Sequence, residues 1–279
     1  MVGRAGAVRP CGPLSPARAA RAPMELRPVC HSGRMHSPDP LLMTTANRDD
    51  GDTGAGRRAR LAVSRLYVCT DLQRFLRPDG TLDTAAFAHF CAAAFRGGVD
   101  LIQVRDKAVD VAVELAAFAV LVPLAREHGA LSAANDRADV AALAGVDVFH
   151  TGQTDLTTAQ CRALLGPNVA LGRSCHTEAQ VRAARAEDGL DYFCTGPVWA
   201  TPTKPGRAAV GLELPSLAAR LDAEDPAGAR PWFAIGGVDA ERLPEVRAAG
   251  ADRIVVVRAV TQAEDPEAAA RTLRAGLPG

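Results

Sequence analysis

Net charge is the first thing this chain lacks. Lysine plus arginine and aspartate plus glutamate number 32 each over 279 residues, so no overall field draws the molecule to nucleic acid or to an anionic membrane. No stretch approaches about 18 uninterrupted apolar residues, which argues against a membrane-spanning helix, and the N-terminus has no apolar core of a secretory signal. Seven cysteines, Cys11, Cys30, Cys69, Cys91, Cys161, Cys175 and Cys194, are odd in number and scattered, with no C-x-x-C pair. That argues against a disulfide framework and a zinc site, and for a reducing, cytoplasmic setting. No G-x-G-x-x-G opens the first helix, so the dinucleotide-binding fingerprint is missing too.

What is present divides in two. Residues 1–60 carry ten arginines against five acidic residues and seven prolines, with no helical or alternating period, so a disordered extension is expected. An arginine-rich leader also reads as a transit peptide, but no amphipathic helix supports that, and the stretch includes the acidic Asp49-Asp50-Gly51-Asp52. Residues 61–279 are mildly acidic, so any phosphate site there must be locally basic. From Arg65 onward, short apolar runs alternate with alanine-rich segments of helical period. Strands are predicted at 65–70, 99–104, 130–134, 146–149, 168–172, 191–195, 231–235 and 253–257. Helices are predicted between them, among others at 84–95, 111–128, 177–187, 214–221, 242–249 and 266–273. Three helix-to-strand joints repeat one form: Gly97-Gly98-Val99-Asp100, Gly145-Val146-Asp147 and Gly250-Ala251-Asp252. Glycine there supplies the left-handed cap that ends a helix. Eight β/α units with short connections predict a single-domain α/β fold, a (β/α)8 TIM barrel over 61–279. The alternative is an open flavodoxin-like or Rossmann sheet, disfavoured by the count of eight and the missing fingerprint.

In such a barrel the active residues lie at the C-terminal ends of strands and in the loops that follow. This chain's polar residues gather there. Segment 131–155 reads as strand, helix, strand, with Asn135-Asp136 after the first strand and His150 to Asp155 after the second. Consecutive parallel strands end on one rim, so Asp136 and Asp155 face a shared space. Each is either a helix N-cap or half of a Mg²⁺ site completed by substrate phosphates. After the second strand, Gln103, Arg105 and Lys107 alternate with Val104 and Asp106, and side chains two apart project together. Ser174, after the fifth, can donate to phosphate, while Thr177 reads as an N-cap. The long loop after the sixth carries Trp199, read as core packing, and then Thr201, Pro202, Thr203 and Lys204, whose hydroxyls and ammonium suit phosphate oxygens. The last two strands end at Gly236-Gly237 and Val257-Arg258, where barrels frequently build a phosphate site.

The segments QVRDK (103–107), ANDRADVA (134–141), FHTGQTD (149–155), GRSCHT (172–177), GPVWATPTK (196–204), IGGV (235–238) and AVTQAEDP (259–266) occur in that order. Together they resemble the thiamine phosphate synthase family over about residues 63–275. The resemblance implies a (β/α)8 barrel and a transferase. Its reaction joins 4-amino-5-hydroxymethyl-2-methylpyrimidine diphosphate to a thiazole phosphate, giving thiamine phosphate and pyrophosphate, with loss of CO₂ when the thiazole is carboxylated. It implies Mg²⁺ held by Asp136 and Asp155. The pyrimidine diphosphate would be bound by Gln103, Val104, Arg105, Asp106, Lys107, Asn135, Ser174 and Lys204. The thiazole phosphate would be bound by Thr201, Pro202, Thr203, Gly237, Val257 and Arg258. Arg105, Lys107 and Lys204 take the catalytic part by neutralising the departing pyrophosphate on a dissociative path that needs no protein nucleophile. The implied partners are small-molecule substrates, neither nucleic acid nor membrane; a homo-oligomer is left open.

Two positions depart from the family pattern. Arg258 stands where a small hydroxyl residue is expected, and Thr151 where an apolar one is usual. Two other functions share much of the pattern: a related thiazole tautomerase, which would use a rim histidine such as His176 and no metal, and a non-catalytic barrel that binds thiazole phosphate and regulates. The combination of Asn135, Asp136, Asp155 and Lys204 favours the synthase.

Overall fold

The first strand, Leu-Tyr-Val-Cys-Thr, is buried along its whole length, as a strand must be when it has a core on each side. In the computed structural model, which describes residues 53–201 and 208–279, it is one of eight. β1 (Leu66–Thr70), β2 (Leu101–Val104), β3 (Leu131–Asn135), β4 (Val148–Thr151), β5 (Ala170–Cys175), β6 (Tyr192–Thr195), β7 (Trp232–Ile235) and β8 (Ile254–Val256) pair in sequence order, all parallel. The barrel closes where Leu66, Tyr67 and Val68 register with Ile254, Val255 and Val256. An open sheet would leave these two strands apart, so the predicted barrel is the fold.

Alternation assigns each residue to one of two cores. Tyr67 and Cys69 point inward with Leu101, Leu131, Tyr192 and Phe233, while Leu66 and Val68 belong to the layer between strands and helices. That outer layer is covered by α2 (Thr84–Arg96), α3 (Val111–Glu127), α4 (Ala138–Ala144), α5 (Thr158–Leu165), α6 (Glu178–Ala186), α7 (Glu213–Glu224), α8 (Leu243–Ala248) and α10 (Pro266–Ala275), one after each strand. The four-residue α9 (Arg258–Thr261), absent from the sequence-based expectation, begins two residues after β8.

The repeated joints serve more than turning. Gly145 ends α4 in the left-handed region, as predicted, and the aspartates of two of the joints, together with Asp191 before β6, brace the base of a neighbouring strand. Asp100 Oδ2 accepts the Arg65 and Leu66 N–H groups at 2.7 and 2.9 Å. Asp147 Oδ2 accepts the N–H of Ser132 at 2.9 Å, and Asp191 Oδ2 that of Leu171 at 2.7 Å. Strand-start N–H groups would otherwise be left without partners.

The expected disordered extension needs a corrected boundary. Residues 1–52 lie outside those described, but α1 (Gly54–Val63) is a folded helix capped by Thr53. Its Leu61 is 1% exposed within the inner core, and Arg57 and Arg58 pair with Asp147 and Asp191 at 2.9 and 2.6 Å. These are strand-start residues, so α1 covers the N-terminal end of the barrel. The opposite end stays available for a site.

Candidate active site

Asp136 stands just past β3 with φ 58. Its N–H donates to the His150 carbonyl at 3.0 Å, joining the ends of β3 and β4, and Lys107 Nζ lies 2.7 Å from its Oδ2. Asp155, in the loop after β4, accepts the Gly152 N–H at 2.7 Å. Neither aspartate is a helix cap: α4 follows Arg137 without a side-chain cap bond, and α5 is capped by Thr157 in a capping box with Gln160. Burial raises the Asp155 carboxyl. The Gly152 N–H, the Asp136 side chain within hydrogen-bonding reach, Lys107 and His150 outweigh burial and hold it below the usual carboxylate value. Two carboxyl groups on one rim, both hard oxygen donors, fit a Mg²⁺ that takes its other ligands from water and phosphate. Among the described residues no group of three or more histidine, cysteine or acidic side chains forms an all-protein metal cage.

Inside the mouth, Gln103, Asn135, His150 and Ser174 are buried. Gln103 Oε1 accepts from Cys69 Sγ at 3.3 Å, but its Nε2 is buried with no partner among the described residues. Such a donor costs about 1–3 kcal/mol unless something accepts from it, so it suits a ligand acceptor. The Val104 side chain is packed in the outer layer, which leaves its backbone as the part able to meet a ligand. The Asp106 carboxylate is occupied by the loops: it accepts the N–H groups of Leu72 and Ala108 at 3.0 and 2.8 Å and Gln73 Nε2 at 2.9 Å. Arg105, half-buried, and Lys107, exposed, lie beyond β2.

Two cavities adjoin at the rim. One of about 330 Å³ lies among the loops after β5, β6, β7 and β8, bounded by His176, Thr201, Gly237 and Arg242. The other, about 470 Å³, lies by the loops after β1 and β2, bounded by Asp71, Arg105 and Lys107. Val257 and Arg258 line both. The Gly236-Gly237 pair is required by close approach: a Cβ on Gly236 would lie 2.5 Å from Pro197 Cα, and one on Gly237 2.8 Å from Trp199 Cβ. Trp199 packs against the outer core as expected. It also carries the Arg242 guanidinium 5.0 Å over its ring, while Arg242 Nη1 donates to the Gly237 carbonyl at 2.9 Å. Sequence reasoning passed over Arg242, which follows the strand-7 motif by several residues and carries no pattern of its own. It also passed over Tyr192, on β6. Thr177 caps α6, as predicted. Pro202, Thr203 and Lys204 lie outside the described residues.

Thr201, Gly237, Val257 and Arg258 therefore gather at one cavity, and Arg105, Lys107 and Arg258 at the other. Gln103, Asn135, Ser174, Asp136 and Asp155 stand on the strand ends of the same rim.

The family model described as thiamine monophosphate synthase matches residues 67–260. The thiamine-phosphate synthase of Arthrobacter sp. (strain FB24) is 50% identical over 237 residues, covering 79% of this chain and 97% of that protein. That of Mycobacterium bovis (strain BCG / Pasteur 1173P2) is 51% identical over 228 residues, covering 78% and 97%. Among solved structures, thiamine phosphate pyrophosphorylase from Pyrococcus furiosus is similar at a TM-score of 0.63 and 29% identity, over 78% of this chain and 96% of that one. A 3-hexulose-6-phosphate synthase, 21% identical with a TM-score of 0.53 over 77% and 100%, shares the fold alone. With the match running from β1 through most of α9, the chain belongs to the thiamine monophosphate synthase family.

Proposed function

We propose that the chain joins 4-amino-5-hydroxymethyl-2-methylpyrimidine diphosphate to a thiazole phosphate, releasing pyrophosphate and forming thiamine phosphate. The observation that carries this reading is a pair of adjoining cavities that share Arg258, one of them lined by Arg105 and by Lys107, whose ammonium lies 2.7 Å from Asp136. Two phosphate-bearing substrates that must react with each other need that plan.

Asp136 and Asp155 would hold Mg²⁺, which supplies charge neutralisation at the diphosphate oxygens. Arg105 and Lys107 add cations on the same side, and Lys204 belongs to this group by its motif. The C–O bond to pyrophosphate breaks with its electron pair leaving on oxygen, and the thiazole nitrogen donates a pair to the resulting pyrimidinylmethyl cation. No protein nucleophile takes part; the chain orients the reactants and stabilises the leaving charge. Gln103 Nε2 and Asn135 address the pyrimidine, and Ser174 and the backbone at Val104 to Lys107 its diphosphate. Thr201 to Thr203, the Gly237 backbone, Val257 and Arg258 take the thiazole phosphate. We place the reaction in the cytoplasm, consistent with five buried cysteines among the described residues; among these residues no helix is long and apolar enough to cross a membrane.

The test is to mix the purified chain with both substrates and Mg²⁺ and look for thiamine phosphate. Its appearance, abolished by chelation, is expected. Isomerised thiazole phosphate without coupling would assign the tautomerase reaction instead, and calorimetric binding of thiazole phosphate with none of the pyrimidine diphosphate would point to a regulator.

A further inference from the structure

Below the carboxylates, four polar side chains form a line up the inside of the barrel. Tyr67 Oη lies 3.4 Å from Tyr192 Oη, Tyr192 Oη 3.0 Å from His150 Nδ1, and His150 Nε2 2.9 Å from Ser174 Oγ. All four residues are buried. The line depends on glycine at position 172, where a Cβ would fall 2.0 Å from Tyr192 Cε1: the tyrosine ring fills the space that β5 leaves.

Geometry alone leaves the direction of these hydrogen bonds open; counting donors closes it. Burial pushes both phenols well above their ordinary value, so each keeps its hydrogen. The Tyr67 hydroxyl has Tyr192 as its one hydrogen-bond partner among the described residues. If His150 carried hydrogen on Nδ1, it would donate to Tyr192, and Tyr192 would donate to Tyr67. The Tyr67 hydrogen would then have no oxygen or nitrogen acceptor among the described residues, at about 1–3 kcal/mol. In the reverse order nothing is stranded. Tyr67 donates to Tyr192, Tyr192 donates to Nδ1, and Nε2–H donates to Ser174 Oγ, so the Ser174 hydrogen has to point away from the histidine.

We propose that Tyr192 and His150 are positioning residues that hold Ser174 as a hydrogen-bond donor toward the substrate diphosphate, with His150 fixed as the Nε2–H tautomer. The direction toward the diphosphate rests on the function proposed above. The tautomer does not, and the experiment separates the two.

Nitrogen-15 NMR of histidine-labelled full chain, with the His150 signals assigned by loss in His150→Gln, reads the tautomer directly. A neutral ring protonated at Nε2 is expected, and a ring protonated at Nδ1 overturns the proposal. Tyr67→Phe leaves Tyr192 able to donate and keeps the tautomer. Tyr192→Phe keeps the ring over Gly172, removes the donor and lets Nδ1–H appear, with a melting scan confirming the fold. An unchanged tautomer in Tyr192→Phe overturns the wiring. In the coupling reaction, Tyr192→Phe lowers kcat about tenfold, the value of one hydrogen bond, with the pyrimidine diphosphate KM changed by less than about threefold. Combining it with Ser174→Ala adds little beyond Ser174→Ala alone. Full activity in Ser174→Ala sinks the substrate assignment of Ser174 and leaves the tautomer standing. Costs of the two variants that multiply independently overturn positioning.

Discussion

At Asp136 the backbone adopts φ 58, a region that costs a residue with a Cβ about 1–2 kcal/mol and that asparagine and aspartate tolerate best. Asp136→Asn therefore keeps the conformation and removes the charge. We expect it to leave the melting temperature within a few degrees of wild type while turnover falls at least about a hundredfold, the scale of a lost electrostatic contact to a leaving group. Asp155→Asn should act alike, and steady-state rates across a magnesium titration check both. Rates equal to wild type at every magnesium concentration in both variants would remove the metal assignment. A second residue-scale expectation concerns Gly172→Ala. Its methyl would meet the Tyr192 ring at 2.0 Å, so overpacking should cost about 1–3 kcal/mol or more in a denaturant titration. The sequence made the two aspartates candidates because consecutive strands share a rim, but taken alone they read first as helix caps, and the family resemblance turned the reading to metal. The placement of Arg137 and Thr157 before α4 and α5 removes the cap reading. Tyr192 was illegible because what defines it, His150 on β4 and the gap at Gly172 on β5, is remote in the chain.

Helix α1 is the element that pattern reading missed. Its stretch GAGRRARLAV has arginines where a core-facing helix would show an apolar stripe. What anchors it are aspartates far along the chain, Asp191 being 133 positions from Arg58, and no local period reports such partners. The two ion pairs differ in weight. Arg57 and Asp147 are 11% and 10% exposed, a nearly buried pair, so Arg57→Ala, which breaks that pair, should destabilise on the order of 3 kcal/mol. Arg58 is 37% exposed, and Arg58→Ala should cost about 1 kcal/mol or less. Leu61→Ala belongs with the larger class, about 2–5 kcal/mol for a fully buried leucine. Guanidinium titrations rank the three; equal costs for Arg57→Ala and Arg58→Ala would contradict the burial argument. For the same reason removal through Val63 should lower the midpoint relative to a chain starting at Thr53.

Across the whole molecule, the count of eight apolar runs was enough to predict a barrel, because parallel strands with one helix each have few ways to close. The register of β1 on β8 and the division of the mouth into two cavities were not legible, since both depend on strand lengths and on α9 beginning directly beyond β8. That division has a consequence for stability. Every strand end from β1 to β8 contributes to the rim, so a ligand that bridges it stabilises the barrel as one unit. At a hundred times its dissociation constant such a ligand adds about 2.7 kcal/mol. For a chain of this size each kcal/mol moves the midpoint by about 2–4 °C. Pyrophosphate with Mg²⁺ should therefore raise the melting temperature by about 5–10 °C. The shift should shrink sharply when chelator replaces magnesium and vanish in the Asp136→Asn, Asp155→Asn double variant. Because this measurement needs no turnover, it separates binding at the carboxylate rim from catalysis. A shift that survives in the double variant would locate pyrophosphate elsewhere on the molecule.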